Sequence, residues 1–179
     1  MSFNVVIPAR LNSSRLKEKV LTEIHGIPMV IHVAQRASLS SAKNIVVATD
    51  DKKIAEVASN YNFKSVMTNK NHLSGTDRCL EASDISMWSD QDIIVNVQAD
   101  EPLIDPALID LVAKNVTESE SGYVTACSEF KSYKEFINPN NVKVVLDNHS
   151  HALYFSRSSI PYSSSTDLSH NNYAYHHLG

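Results

Sequence analysis

Two adjacent carboxylates, Asp100 and Glu101, follow an apolar and mostly β-branched run at residues 93–97. A run with so little polar alternation is typical of a strand that is buried on both faces. Pro102 cannot continue a central strand, so the strand must end by about Asp100 and leave Gln98 and the two acids at its carboxyl end. Ligands bind at this end of open α/β sheets. The acids could therefore hold Mg²⁺, or they could form a polar turn that leaves the sheet.

The loop after the first buried strand, which Pro8 is expected to end, is rich in basic and hydroxyl side chains. Guanidinium forks, an ammonium group and neutral donors together suit a triphosphate, although a solvated basic loop would have the same composition. The loop contains no glycine, which excludes a Walker A motif and a dinucleotide fingerprint. The side chains that could bind phosphate are Arg10, Ser13, Ser14, Arg15 and Lys19.

Residues 72–78 lead from a short strand into a predicted helix, for which Thr76 is a plausible N-cap. Free backbone N–H groups at a helix start, together with Ser74 and Arg78, could bind the polar edge of a base. A capped loop of this kind also needs no ligand. Further along the chain, Arg157 follows a predicted strand and could bind a carboxylate. The histidines do not follow a zinc spacing.

The composition is that of an ordinary globular protein, with 42% hydrophobic and 20% charged residues. A net charge of −4 gives no reason to expect binding to nucleic acid or to an anionic membrane. Cys79 and Cys127 follow no metal or redox spacing and are expected to be free thiols in a reducing cytosol. No signal peptide and no apolar run of membrane-spanning length is found, so we expect a cytoplasmic protein.

Strands and helices are predicted to alternate through the first 120 residues. This pattern indicates a parallel, doubly wound sheet. The second half is predicted to hold strands at 123–127, 142–146 and 152–155, with a hairpin turn at 147–150. Residues 163–176 are rich in Ser, Asn and His, lack periodicity and are expected to form a mobile loop.

Many of these segments resemble, in the same order, the 3-deoxy-manno-octulosonate (KDO) cytidylyltransferases, also called CMP-KDO synthetases. The resemblance covers the whole chain. The matching segments are Ile7-Pro8-Ala9-Arg10, Ser14-Arg15-Leu16, Lys19, Gly26-Ile27-Pro28-Met29, residues 47–51, 72–78, 95–98, 100–102 and 138–140, Val142-Lys143-Val144-Val145, residues 152–157 and Ile160-Pro161.

The resemblance implies a Rossmann-like, mostly parallel sheet flanked by helices, of the nucleotide-diphospho-sugar transferase type, with a second half that contains a β-hairpin. It implies one nucleotidyltransferase domain over residues 1–179. Within this domain, about 1–120 would bind CTP, and about 121–179 would bind the sugar and form a homodimer. The chain stops inside a motif that continues in the family, so we expect a C-terminally truncated member.

The same resemblance implies transfer of CMP from CTP to KDO, with Mg²⁺ as cofactor and pyrophosphate as second product, for lipopolysaccharide biosynthesis. Lys19 and Asp100 would be catalytic, and Asp100 would ligate the metal. The nucleotide would be bound by Arg10, Ser13, Arg15, Lys19, Ser74 and Arg78, and the sugar acid by Gln98, Arg157 and His177. Two alternatives stay open: a non-catalytic nucleotide-binding remnant, and a CMP-sialate-type synthetase.

The chain departs from the family at two internal places. Lys17-Glu18 stands where the family usually has Pro-Gly, and Ala99 stands where it has glycine. If the position of Ala99 requires a positive φ, alanine costs about 1 kcal/mol there.

Overall fold

The first strand, β1 (Phe3–Ala9), lies in the interior of a four-stranded parallel sheet. The computed structural model describes residues 2–11, 18–119, 121–162 and 174–178. These divide into two compact units, Met1–Tyr123 and Val124–Gly179, called the first and the second unit below. Within the described residues, no helix has both the length and the apolar character needed to cross a membrane.

β1 is longer than predicted, because Pro8 lies inside the strand and not at its end. Val6 accepts a hydrogen bond from the Val97 N–H (3.0 Å), so Pro8, two residues further on, faces the same neighbouring strand. That neighbour is paired with β1 only as far as Asn96, opposite Val6. The missing N–H of Pro8 therefore removes no ladder hydrogen bond, which is why a proline is tolerated in a central strand.

The rest of the first unit supplies three more strands of this sheet, a small hairpin and four helices. A short 3-10 helix at Lys19–Leu21 follows the loop after β1. The other elements are β2 (Glu23–Ile24), β3 (Ile27–Pro28), α1 (Met29–Ala37), β4 (Asn44–Thr49), α2 (Lys52–Asn60), β5 (Lys64–Met67), α3 (Gly75–Ile85), β6 (Ile93–Asn96) and α4 (Pro106–Glu118).

The sheet order is β5-β4-β1-β6, and all pairs are parallel, which confirms the predicted fold class. Val5 and Ile7 pack in one apolar cluster with buried residues of α1, α2 and α4, whereas Val6 packs in a second cluster with Cys79 and Ala82 of α3. Helices therefore cover both faces. The chain runs outward from β1 to β4 and β5 and then returns to β6 on the other side of β1. The carboxyl ends of β1 and β6 thus flank the topological switch point, where doubly wound sheets bind ligands.

The starts of α2, α3 and α4 are set by acidic and hydroxyl caps. Asp51 accepts a hydrogen bond from the Lys53 N–H (2.8 Å) and caps α2. The expected cap of α3 was wrong: Ser74 occupies that place, not Thr76, and forms a capping box with Asp77. A Ser followed three residues later by an acid is the known signature of this box, so the sequence contained the signal.

The second unit is built on a four-stranded antiparallel sheet of order β7-β10-β8-β9. The hairpin between its last two predicted strands is confirmed, and Asp147 accepts hydrogen bonds from two N–H groups of its turn. The predicted strand at 123–127 begins later, at Ala126. The elements are β7 (Ala126–Ser128), α5 (Tyr133–Ile137), β8 (Lys143–Leu146), β9 (Ala152–Ser156) and β10 (Ala174–Leu178).

The predicted loop at 163–176 is partly wrong. Residues 163–173 lie outside the described part of the chain, but Ala174 begins β10, which pairs with both β7 and β8. The short helix α5 was not predicted either. Both elements are only five residues long, and tertiary contacts rather than local pattern determine segments of this length.

Candidate functional site

Lys19 and Asp100, which are 81 positions apart in sequence, form an ion pair in the first unit. The Lys19 Nζ lies 2.6 Å from Oδ2 of Asp100, and both side chains are partly exposed (31% and 42%). Lys19 begins the 3-10 helix after the β1 loop, and Asp100 follows β6. The structure therefore brings together the two residues that were expected to be catalytic, and it does so at the topological switch point.

Gln98 lies beside the start of α3. A Cβ built on Gly75 would be 3.4 Å from Cγ of Pro8, 3.8 Å from Nδ2 of Asn96 and 3.9 Å from Nε2 of Gln98. The first turn of α3 thus lies within van der Waals distance of the ends of β1 and β6. The buried Oδ1 of Asn96 has no hydrogen-bond partner among the described residues. Asn96 was not selected from sequence, although a polar residue ending a buried apolar strand is a usable signal.

Arg78 is completely buried, although it was expected to face a base. Its Nη2 donates to Oδ2 of Asp50 (3.0 Å) and its Nη1 to the hydroxyl of Thr68, while Nε has no partner among the described residues. The guanidinium therefore joins α3 to the segments that follow β4 and β5. Sequence reasoning missed Asp50 as the partner of Arg78, because nothing in the local sequence indicates a partner 28 positions away.

The capping box at α3 engages Ser74, the other residue expected to contact the base. The Ser74 hydroxyl accepts from the Asp77 N–H (3.1 Å), and Asp77 accepts from the Ser74 N–H (3.0 Å). These hydrogen bonds are the main reason that the pKa of Asp77 lies below its usual value, and the nearby charges of His72 and Arg10 lower it further. Arg10 directly follows β1, whose end packs against the start of α3. Ser13 and Arg15 lie outside the described residues.

Glu81 of α3 contacts two residues of the loop that precedes this helix. Its carboxylate contacts the ring of His72 and accepts a hydrogen bond from the Asn69 N–H (2.8 Å). The hydrogen bond from His72, followed by that from Asn69, lowers the pKa of Glu81 from its usual value. The loop that carries the predicted base contacts therefore has a defined position.

The two departures from the family pattern differ in conformation. Glu18, at a usual glycine position, has φ 55° and ψ 30°, which is the left-handed region that favours glycine. Its carboxylate also pairs with Nζ of Lys53 at 3.2 Å. Ala99 is buried in the core and is not among the described residues with positive φ. The strain considered for Ala99 is therefore absent, and the strained position is Glu18.

In the second unit, Arg157 contacts the loop that precedes β8. Its Nη1 donates to the backbone carbonyls of Pro139 (3.1 Å) and Asn140 (3.3 Å). The arginine is exposed, so its guanidinium can meet a ligand. Sequence reasoning missed the buried Lys143, which donates to the carbonyls of Asn138, Asn141 and Arg157.

His177 lies in β10 of the second unit. Its Nε2 is 2.8 Å from the Thr125 hydroxyl, and its ring packs edge-on against Phe155 at a centroid distance of 4.8 Å. Burial, and secondarily the charge of His176, lowers the pKa of His177. A neutral imidazole at near-neutral pH can serve as donor or acceptor toward a polar ligand.

The Asp100 carboxylate fits a metal ion whose other ligands come from substrate phosphates and water. No group of three His, Cys, Asp or Glu side chains in the described part of the chain could hold a metal ion. Mg²⁺ is commonly bound by one or two carboxylates together with substrate phosphates and water. The carboxylate of Asp100 is partly exposed and pairs with the ammonium of Lys19. A single carboxylate such as Asp100 is therefore compatible with Mg²⁺ that is also bound to the phosphates of a nucleotide.

Known proteins resemble this chain both in sequence and in fold. The family model described as "Cytidylyltransferase" matches residues 4–179. A 3-deoxy-manno-octulosonate cytidylyltransferase from Methylibium petroleiphilum is 48% identical over 163 residues, which are 90% of this chain and 62% of the relative. The enzyme of the same name from Neisseria meningitidis serogroup C is 49% identical over 160 residues, 89% of this chain and 63% of the relative. The chain thus spans less than two thirds of the length of these relatives.

A solved structure of CMP:2-keto-3-deoxy-manno-octonic acid synthetase complexed with CTP superimposes with a TM-score of 0.83. The identity to that protein is 35%, and the match covers 99% of this chain and 71% of the other.

Proposed function

Because the chain belongs to the cytidylyltransferase family, we propose that it transfers CMP from CTP to KDO and releases pyrophosphate, for lipopolysaccharide biosynthesis. Two relatives with 48% and 49% identity carry the name of this activity, and a structural neighbour with 35% identity was solved with CTP. The observation that carries the proposal is the Lys19–Asp100 pair at the switch point, where a phosphate-binding cation and a metal-binding carboxylate are both required.

On the nucleotide side, Lys19 would leave Asp100 and bind the phosphates of CTP. Arg10, near the start of α3, would add a guanidinium to the same anion, together with Ser13 and Arg15 of the first loop. Positioning and charge stabilisation of this kind supply most of the catalysis in phosphoryl and nucleotidyl transfer. Ser74, and Arg78 if its buried side chain is released, would bind the cytosine.

Asp100 would hold Mg²⁺ together with the phosphates. When bound, the metal would lower the pKa of the attacking hydroxyl and neutralise charge on the departing pyrophosphate. No covalent enzyme intermediate is required, because the sugar hydroxyl attacks the α-phosphorus directly.

Of the residues that the family resemblance assigns to the sugar acid, Gln98 belongs to the first unit, and Arg157 and His177 belong to the second. Arg157 is suited to the carboxylate of the sugar acid, because a guanidinium offers two parallel donors to a planar anion. We further propose a homodimer in the cytoplasm. Leu153 and Tyr154 on the edge strand β9 are 64% and 65% exposed, which supports a subunit contact. The two free cysteines agree with a reducing compartment.

The test is release of pyrophosphate by the chain with CTP, Mg²⁺ and KDO, measured beside CTP binding. We expect both turnover and binding, with no turnover when sialate replaces KDO. Turnover with sialate would favour a CMP-sialate-type synthetase. CTP binding without turnover would favour the non-catalytic alternative. Absence of both would refute the proposal.

A further inference from the structure

Lys143 of β8 is fully buried and carries a charge that no carboxylate neutralises within the described residues. Its Nζ donates to three backbone carbonyls, at 2.7 Å (Asn138), 2.9 Å (Asn141) and 2.9 Å (Arg157). All three ammonium protons are therefore used. A buried charge without a counter-ion is expensive, and burial indeed lowers the pKa of Lys143. An apolar residue at this position would avoid the cost, so packing alone does not explain why a lysine is buried here.

The three carbonyls that Lys143 binds belong to the two segments that set the position of Arg157. One is the main-chain oxygen of Arg157 itself. The other two, from Asn138 and Asn141, lie at the ends of the loop whose middle carbonyls, from Pro139 and Asn140, accept from Nη1 of Arg157. Lys143 thus fixes both the backbone from which Arg157 extends and the loop on which its guanidinium rests.

This arrangement leaves part of Arg157 available to a ligand. Among the described residues, its hydrogen bonds use Nη1 alone and all end on neutral carbonyls. The edge formed by Nε and Nη2 is the one that binds a carboxylate with two parallel hydrogen bonds. Lys143 and Arg157 together donate five described hydrogen bonds, all to neutral carbonyl oxygens, so these contacts leave their positive charge in place.

We propose that Lys143 is a positioning residue for the sugar acid: by gathering the carbonyls of loop 138–141 and of Arg157, it holds the Arg157 guanidinium in place to receive the ligand carboxylate. This rests on the proposed function, to which it adds a residue outside the expected site. Lys143 acts through Arg157 and does not touch the substrate, because it is completely buried.

The test compares Lys143→Ala with the unaltered chain and with Lys134→Ala, which removes the same charge from an exposed position of α5. Binding of KDO is measured by saturation-transfer NMR with CTP present and Mg²⁺ absent, and CTP binding is measured separately. We expect Lys143→Ala to bind KDO about tenfold less tightly, or about 1.4 kcal/mol, with CTP affinity unchanged. Lys134→Ala should behave like the unaltered chain.

Chemical rescue separates positioning from a general structural effect. The alanine variant lacks three methylenes and the ammonium, which propylammonium replaces. We expect propylammonium to restore KDO binding in Lys143→Ala, whereas 1-propanol, of similar size but uncharged, should not. Equal KDO binding by Lys143→Ala and the unaltered chain, or equal rescue by the alcohol, would overturn the proposal.

If Lys143→Ala does not fold, Lys143→Met, which keeps the side-chain length, is measured in the same way. Failure of both to fold, even with propylammonium, would assign Lys143 to folding and overturn the proposal. If the unaltered chain binds neither CTP nor KDO, the proposed function itself fails. If it binds CTP but not KDO, both the sugar assignment and this inference fail, and only the nucleotide half stands.

Discussion

Two cations of the first unit and two of the second are held in different ways. In the first unit, Lys19 is paired with Asp100 and Arg78 with Asp50. In the second, Lys143 and Arg157 make their described hydrogen bonds to backbone carbonyls alone. Acid pairing cancels the charge of a cation, whereas carbonyls orient a cation and leave its charge in place.

This difference matches the ligands that we propose for the two units. A nucleotide with Mg²⁺ brings both an anion and a cation, so an exposed pair such as Lys19–Asp100 can exchange partners without leaving an uncompensated charge. A sugar acid brings only an anion, which requires a cation that is not already neutralised. Substitutions of four acids that pair with cationic or histidine side chains in the first unit test this difference, from the largest expected effect to the smallest.

Removing the acid of the buried pair should have the largest effect. Asp50→Ala leaves the buried Arg78 charge with only Thr68, and breaking a buried pair in this way costs about 3–5 kcal/mol. The measurement is the free energy of unfolding in urea. The neighbouring Asp51→Ala removes only a helix cap and should cost about 1 kcal/mol. Equal losses for the two variants would show that the Arg78–Asp50 pair contributes little.

Removing the acid of the exposed pair should affect function and not stability. Asp100→Asn should lower Mg²⁺-dependent CMP transfer by roughly 10²-fold or more, because loss of one charge-stabilising group commonly has such an effect. Stability should change by less than about 1 kcal/mol, as for other exposed pairs. CTP binding without metal should tighten, since Lys19 is released. Near-normal turnover at saturating CTP and Mg²⁺ would exclude a metal role for Asp100.

Glu18, which pairs with Lys53, tests whether its left-handed backbone is strained. Glu18→Gly removes the pair but also the left-handed strain, whereas Glu18→Ala removes the pair and retains the strain. We therefore expect Glu18→Gly to have a higher free energy of unfolding than Glu18→Ala. Relief of strain contributes roughly 1 kcal/mol, and the entropy that glycine adds to the unfolded chain subtracts about 0.4–1 kcal/mol from it. A clearly less stable glycine variant would mean that Glu18 is not strained.

The smallest effect is expected from the pH dependence of Glu81. Its pKa is lowered in the folded state, first by His72, so its stabilising contribution is complete above the ordinary glutamate value of 4.5. The contribution is lost as the pH falls through the lower, folded value. Glu81→Gln should therefore flatten the decrease of melting temperature in acid. The exposed Glu56→Gln on α2 serves as control, and an identical acid profile for both variants would contradict the prediction.

Several elements were predictable because their signals are local. The β-branched runs of β1, β4 and β6 indicate buried strands, and Asp51 lies directly before a helix that it caps. Signals that depend on distant partners were not recoverable. Pro8 was expected to end β1. The strand continues through this proline because β6 stops pairing before it, and the local sequence does not show where β6 stops. β10 was missed because its five residues show no alternation and are stabilised by strands on both sides.

The sequence by itself determined the alternation of strands and helices, and therefore which side chains follow the carboxyl ends of strands. It also contained the motifs that show the family. Only the tertiary structure decided which of these side chains meet: that Lys19 pairs with Asp100, that Arg78 is buried on Asp50, and that Lys143 supports Arg157. The physical reason is that a sequence pattern reports the face and the end of one element, whereas an ion pair or a carbonyl cluster depends on the order and register of several elements.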